Sequence, residues 1–134
     1  RIFVRNPHAT RPWQHVLDPL SGYLLLASKL YSEPHVFAGA WNFGPDNSSV
    51  ITVKALVENL IRIWGSGKWE DVSGEGDPHE ANLLMLDIVK AKEILGWTPK
   101  LNINGMLNFT ADWYKEDSVD YAFGVKQLKD YIEI

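Results

Sequence analysis

Residues 37–64 read FAGAWNFGPDNSSVITVKALVENLIRIW, and the order of signals in that stretch decides the fold class. Phe37 to Phe43 is a short apolar and aromatic run that reads as a buried strand, stopped by Gly44-Pro45 and a polar turn through Ser49. Thr52 then stands where an N-cap belongs. Val53, Leu56, Val57, Leu60, Ile61 and Trp64 follow at helical spacing, and Gly65 closes the helix. A strand leading through a turn into an amphipathic helix is a building unit of α/β folds.

The same alternation extends outward in both directions. Upstream, Asp18-Pro19 reads as an N-cap followed by proline at the first helical position, and Leu20, Tyr23, Leu24, Ala27, Leu30 and Tyr31 recur at helical spacing. Leu25 and Leu26 widen that apolar face, so the helix is expected to pack on more than one side. Ile2 to Val4 is a β-prone run ended by Asn6-Pro7. Downstream, Gly65, Gly67, Gly74 and Gly76 bracket a short strand over Lys68 to Val72, and Leu83 to Leu86 reads as another. Asp87 caps a helix to Leu95, with Gly96 and Pro99 beyond it. Asn102 caps a helix faced by Ile103, Met106, Leu107, Trp113 and Tyr114. A last helix from Tyr121 carries Val125, Leu128 and Ile132. The expectation is one α/β unit.

Bulk properties narrow the function classes. A length of 134 residues suffices for one core and not for two domains. The net charge of -4 and the dispersed lysines and arginines give no basic stripe to follow a phosphate backbone, so no nucleic-acid partner is expected. No apolar run nears the ~20 residues of a membrane-spanning helix, so no membrane partner is expected either. Cysteine is absent, which removes disulfides and thiolate chemistry and suits a cytoplasmic protein. The start, Arg1-Ile2-Phe3-Val4, reads as the interior of a longer protein.

Motifs for catalysis within the chain fail on spacing. Gly65-Ser66-Gly67-Lys68 lacks the first glycine and the hydroxyl of a P-loop, because Arg62 and Trp69 stand there. No glycine-rich dinucleotide turn occurs, and the residues four after Tyr23, Tyr31 and Tyr121 are Ala27, His35 and Val125, so no lysine activates a tyrosine. His8, His15, His35 and His79 have no partner at metal-ligand spacing; His79-Glu80 opens like a zinc-protease motif, but Leu83 replaces its second histidine. No catalytic or metal residue is assigned. Arg11-Pro12-Trp13-Gln14-His15-Val16 is different. It gathers a guanidinium, an indole, an amide and an imidazole just before a helix, a set suited to an anionic planar ligand. An exposed Arg11 beside a core-filling Trp13 is the competing reading.

Together with Arg5-Asn6-Pro7, Ala9-Thr10, Leu17, Gly22-Tyr23-Leu24, Trp41-Asn42-Phe43-Gly44-Pro45, His79-Glu80-Ala81, Leu86-Asp87, Leu95-Gly96-Trp97 and Pro99, this run resembles the CDP-glucose 4,6-dehydratases, extended short-chain dehydrogenase/reductases, as far as about Tyr114-Lys115. The resemblance implies an enzyme that oxidises the glucose C4 hydroxyl with tightly held NAD, eliminates water across C5 and C6, and returns the hydride to C6. The product would be a 4-keto-6-deoxy sugar nucleotide for surface-polysaccharide dideoxysugars. It implies that NAD and the catalytic tyrosine-lysine pair belong to an N-terminal Rossmann domain outside this chain. Residues 1–134 would be the C-terminal sugar-nucleotide-binding portion, with strand and helix pieces at about 37–64 joining the Rossmann sheet.

Residue by residue, Arg11 matches the arginine aimed at the diphosphate, with Gln14 beside it. Thr52 opens a helix that touches the nucleotide, although its role can equally be an N-cap. Asn42 matches the asparagine of a strand-end Asn-x-Gly and can hold either loop or ligand. His79 and Glu80 stand where thymidine-sugar relatives have Gly-His-Asp and a phosphate-gripping arginine; that arginine is absent here, in keeping with the cytidine-sugar subgroup. CDP-glucose is the expected ligand. Apolar helix faces left uncovered by the absent domain make a homo-oligomer expected. Another nucleotide-sugar epimerase or dehydratase, or a non-catalytic binding or assembly module, are the alternatives.

Overall fold

The computed structural model describes residues 1–74 and 84–134. Two short ribbons and a set of helices make up the α/β architecture. β1 (Ile2–Val4) pairs in parallel with β4 (Trp69–Asp71), Ile2 opposite Trp69. β2 (Thr10–Pro12) pairs antiparallel with β3 (Val50–Thr52), Arg11 opposite Ile51. The helices are α1 (Leu17–Ser32), α2 (Pro34–Phe37), α3 (Val53–Trp64), α4 (Ile103–Lys115) and α5 (Tyr121–Glu133). A π-helical turn covers Ala91–Leu95.

Where local chemistry sets a boundary, sequence and structure agree. Thr52 Oγ1 accepts from Ala55 N at 3.1 Å and Asn102 Oδ1 from Gly105 N at 2.9 Å, each satisfying a donor the first turn leaves unpaired. Gly65 and Gly96 end their helices with φ of 91° and 73°, the left-handed region a side chain disfavours. Asp87 Oδ1 accepts from Val89 N at 2.9 Å at the start of the turn that runs to Leu95.

Four expectations are corrected. Phe37 to Phe43 is not a strand: Phe37 ends α2, and residues 38–46 carry no regular structure although Phe43 is buried. A strand exists only with a neighbour to take its backbone groups, and among the described residues none is paired to this segment. Leu84 to Leu86 likewise carries no strand and is exposed; Leu83 lies outside the described residues. Asp18 is not the N-cap of α1. The helix begins at Leu17 with Val16 at the cap, and the Asp18 carboxylate is buried in long-range bonds. Finally, the inward residue of α5 is Tyr131, at 3% exposure, whereas Leu128 and Ile132 face outward; on α4, Met106, Leu107 and Ala111 are inside and Trp113 and Tyr114 lie toward the surface.

Among the described residues the apolar interior forms two clusters. One gathers Phe37, Phe43, Ile88, Ala91, Leu95 and Trp97, covered by Leu25, Leu26 and Leu30 of α1 and by Trp41. Gly22 makes this contact possible: a Cβ there would lie 2.3 Å from Phe43 Cδ1. The other is built on Leu101, Met106, Leu107 and Tyr131, with Trp13, Leu17, Leu56 and Leu60 packed against it. The expectation that α1 packs on more than one side is not met among the described residues: it packs inward along Gly22, Leu25, Leu26 and Leu30, while Leu20, Tyr23, Leu24 and Tyr31 of the expected apolar face are exposed. No helix of the described residues is long and apolar enough to cross a membrane.

Candidate functional site

The β2–β3 ribbon places Arg11. Its register sets Arg11 opposite Ile51 and Thr10 opposite Thr52, so Arg11 and Thr52 are ladder neighbours whose side chains alternate to opposite faces. Arg11 is partly buried, and its Nη1 donates to the Thr10 carbonyl at 2.9 Å. Trp13 extends the ladder, its N bonding Ser49 O at 3.2 Å, and its indole Nε1 donates to Ile51 O at 3.2 Å while the rings pack on the second cluster. Trp13 is therefore a partly buried residue that packs against the core, close to the competing reading for that position.

Thr52 is engaged as a cap, and the helix start it opens is already satisfied. Val53 N bonds Ala9 O at 3.0 Å, Lys54 N bonds Pro7 O at 2.9 Å, and Ala55 N takes the Thr52 hydroxyl oxygen. The donors that would draw an anion to a helix N-terminus are thus met by protein carbonyls, which removes the physical argument for nucleotide binding by that terminus.

After Trp13 the chain turns sharply. Leu17 N donates to His15 Nδ1 at 3.3 Å and Asp18 N to His15 O at 3.1 Å, folding the turn over the imidazole. His15 is buried with its ring edge-on to Phe109, centroids 5.5 Å apart; burial lowers its pKa, partly opposed by the Asp18 charge. The Gln14 amide Nε2 is shut off from solvent with no hydrogen-bond partner among the described residues. Gln14 and His15 help line a cleft of about 510 Å³ between α4 and α5.

Sequence reasoning missed the junction behind this turn. Asp18, 1% exposed, accepts through Oδ1 from Lys100 N at 2.9 Å and from the Tyr131 hydroxyl at 2.8 Å. Ser21 Oγ accepts from Trp97 Nε1 at 2.9 Å, lies 3.2 Å from the Tyr131 hydroxyl, and donates to Asp18 O at 2.6 Å. Trp97 belongs to one cluster and Tyr131 to the other, so these bonds join them. Burial raises the Tyr131 pKa to about 12, which keeps its hydroxyl a donor. The signal available in the sequence was a carboxylate inside an apolar helix start, which reads as a cap unless its distant partners are known.

Asn42 is tied elsewhere: its Nδ2 donates to Asp87 O at 3.1 Å, holding the 38–46 segment beside the first cluster. Asn42 thus ties that segment to the residue that opens the turn to Leu95. His79 and Glu80 lie outside the described residues.

Comparison with known proteins adds the context. No protein-family profile matches the chain. It is 42% identical over 115 residues to a CDP-glucose 4,6-dehydratase of Salmonella typhimurium, covering 86% of this chain and 32% of that protein. It is 26% identical over 127 residues to UDP-glucose 4-epimerase 3 of Oryza sativa subsp. japonica, covering 92% of this chain and 32% of that protein. The crystal structure of a dTDP-glucose 4,6-dehydratase from Bacillus anthracis in complex with NAD matches 87% of this chain and 34% of its own length, with a TM-score of 0.66 and 24% identity. The chain spans about a third of the length of the relatives it matches, 32% of each of the two curated ones. Its mixed α/β fold is the one found in the matched third of that dehydratase structure.

Proposed function

We propose that this chain is the sugar-nucleotide-binding portion of an NAD-dependent CDP-glucose 4,6-dehydratase, and that the longer protein makes CDP-4-keto-6-deoxyglucose in the cytoplasm for surface-polysaccharide dideoxysugars. The observation that carries this reading is the 42% identity to a CDP-glucose 4,6-dehydratase, set against 26% to an epimerase. The residues quoted for that resemblance include the Arg11 to Leu17 run, which begins in the β2–β3 ribbon and ends in the turn closed by the Leu17 N to His15 Nδ1 bond.

In this reading Arg11 takes the diphosphate through its fork of donors, and Gln14, His79 and Glu80 supply further polar contacts. Asn42 and Thr52 hold the backbone that frames them. NAD, which supplies a hydride acceptor when bound, sits in an N-terminal domain, because this chain has no glycine-rich turn to cradle its pyrophosphate. The unpaired 38–46 segment and the exposed α1 face of Leu20, Tyr23, Leu24 and Tyr31 are where that domain, or a second copy in a homo-oligomer, would pack.

Product analysis tests the activity. The full-length polypeptide carrying this chain, given NAD and CDP-glucose, is expected to release a nucleotide sugar that has lost one water and gained a 4-keto group. Recovery of a C4 epimer instead would move the assignment to the epimerases, which the match to the rice protein keeps in view. No turnover and no CDP-sugar binding would leave a binding or assembly module.

A further inference from the structure

The cleft between α4 and α5 has walls that, Gln14 apart, the sugar-nucleotide reading does not use. Its volume of about 510 Å³ falls in the range of small-molecule sites, roughly 300–1,000 Å³. Trp113, Tyr114, Val16 and Leu128 give it aromatic and aliphatic walls. Among the described residues that line it, none carries a full charge besides the titratable His15. A phosphate or carboxylate placed there would find no fixed countercharge among the described walls, so the cleft favours a neutral occupant.

The polar group it offers is fixed in kind. Because Leu17 N donates to His15 Nδ1, that nitrogen is the acceptor, and a neutral imidazole then carries its proton on Nε2. Edge contact with Phe109 and the bonds of the turn to His15 set the ring orientation. Burial favours the neutral form. A flat occupant with one acceptor atom would stack on Trp113 and accept from this ring.

We infer that the α4–α5 cleft is a second binding site, for a small, neutral, planar heteroaromatic molecule that accepts a hydrogen bond from His15 Nε2. The inference stands apart from the sugar-nucleotide reading and survives its failure.

Quinoline, neutral near pH 7.5 with one ring-nitrogen acceptor, serves as the probe, and N-methylquinolinium, of similar shape with the acceptor blocked and a charge added, as the control. In titrations of the 15N-labelled full chain, quinoline is expected to shift the Trp113 indole and His15 resonances with a Kd on the order of 1 mM or tighter. N-methylquinolinium is expected to bind at least about tenfold more weakly. Leu128→Arg, at a half-exposed wall position, and Trp113→Ala should each weaken quinoline by about tenfold or more, with circular dichroism confirming that they fold. Equal binding of the two probes, undiminished binding by folded Leu128→Arg and Trp113→Ala, or shifts confined to residues outside the cleft would overturn the assignment.

Discussion

The two apolar clusters are built on different principles. The cluster around Leu101, Met106 and Leu107 rests on α3 and α4, whose side-chain caps and amphipathic spacing form them locally. The cluster around Phe43 and Trp97 rests on irregular backbone: a glycine that lets Phe43 lie against α1, and rings meeting edge to face at 5.2 Å with Tyr23 and 5.0 Å with Trp97. The first kind of region is specified by its own sequence, the second by what packs on it. Asp18 and Ser21 bridge the two, so the stability of the irregular half depends on the regular half.

Breaking the irregular half should have the largest effect. Phe43→Ala removes the ring shared by Tyr23 and Trp97 and is expected to cost about 4 kcal/mol in urea unfolding. Next, Asp18→Ala leaves Lys100 N–H and the Tyr131 hydroxyl without their acceptor, for about 3 kcal/mol. It should also split one unfolding transition into two if the bridge couples the clusters; a single transition of unchanged steepness would show that they are coupled elsewhere. Gly22→Ala forces a Cβ against Phe43 and should cost about 2 kcal/mol. Thr52→Ala, a cap loss in the regular half, should cost about 1 kcal/mol and leave the Phe43 cluster's near-ultraviolet signal unchanged.

The pH dependence is the smallest effect near neutrality and has a defined sign at each end. Tyr131 titrates near 12 when folded against its ordinary 10.0, so its contribution is complete below pH 10 and is lost as pH rises from 10 to about 12. His15 is the reverse. Its folded pKa lies below the ordinary 6.5, so the unfolded chain binds its proton first and stability declines as pH falls below about 6.5. Denaturant titrations across both windows, with Tyr131→Phe and His15→Phe as references, check each slope.

The same contrast explains what was legible in the sequence. Caps at Thr52 and Asn102 and glycine ends at Gly65 and Gly96 are one-turn chemistry, readable from a few neighbouring residues, and they fell where expected. The Phe37 to Phe43 strand was read from composition that fits a buried strand, but pairing needs a neighbour that no local signal supplies. Asp18 looked like a cap because its partners, Lys100 and Tyr131, stand 82 and 113 residues away. The Arg11 to Val16 run was legible as a binding candidate, while the division of labour inside it was not: Trp13 went to the core and His15 to the cleft. Thr52 reads in the sequence as cap and as ligand, and the bond from Ala55 N to its hydroxyl oxygen shows the cap.

The sugar-nucleotide reading meets its most direct test in calorimetric titration of the chain, and of Arg11→Ala, with CDP-glucose, dTDP-glucose and GDP-glucose. The account predicts saturable binding that favours CDP-glucose and weakens by about ten- to a hundredfold in Arg11→Ala, the size of lost charge-assisted hydrogen bonds. Heats that are the same for all three nucleotides, or affinity untouched by removing Arg11, would contradict it.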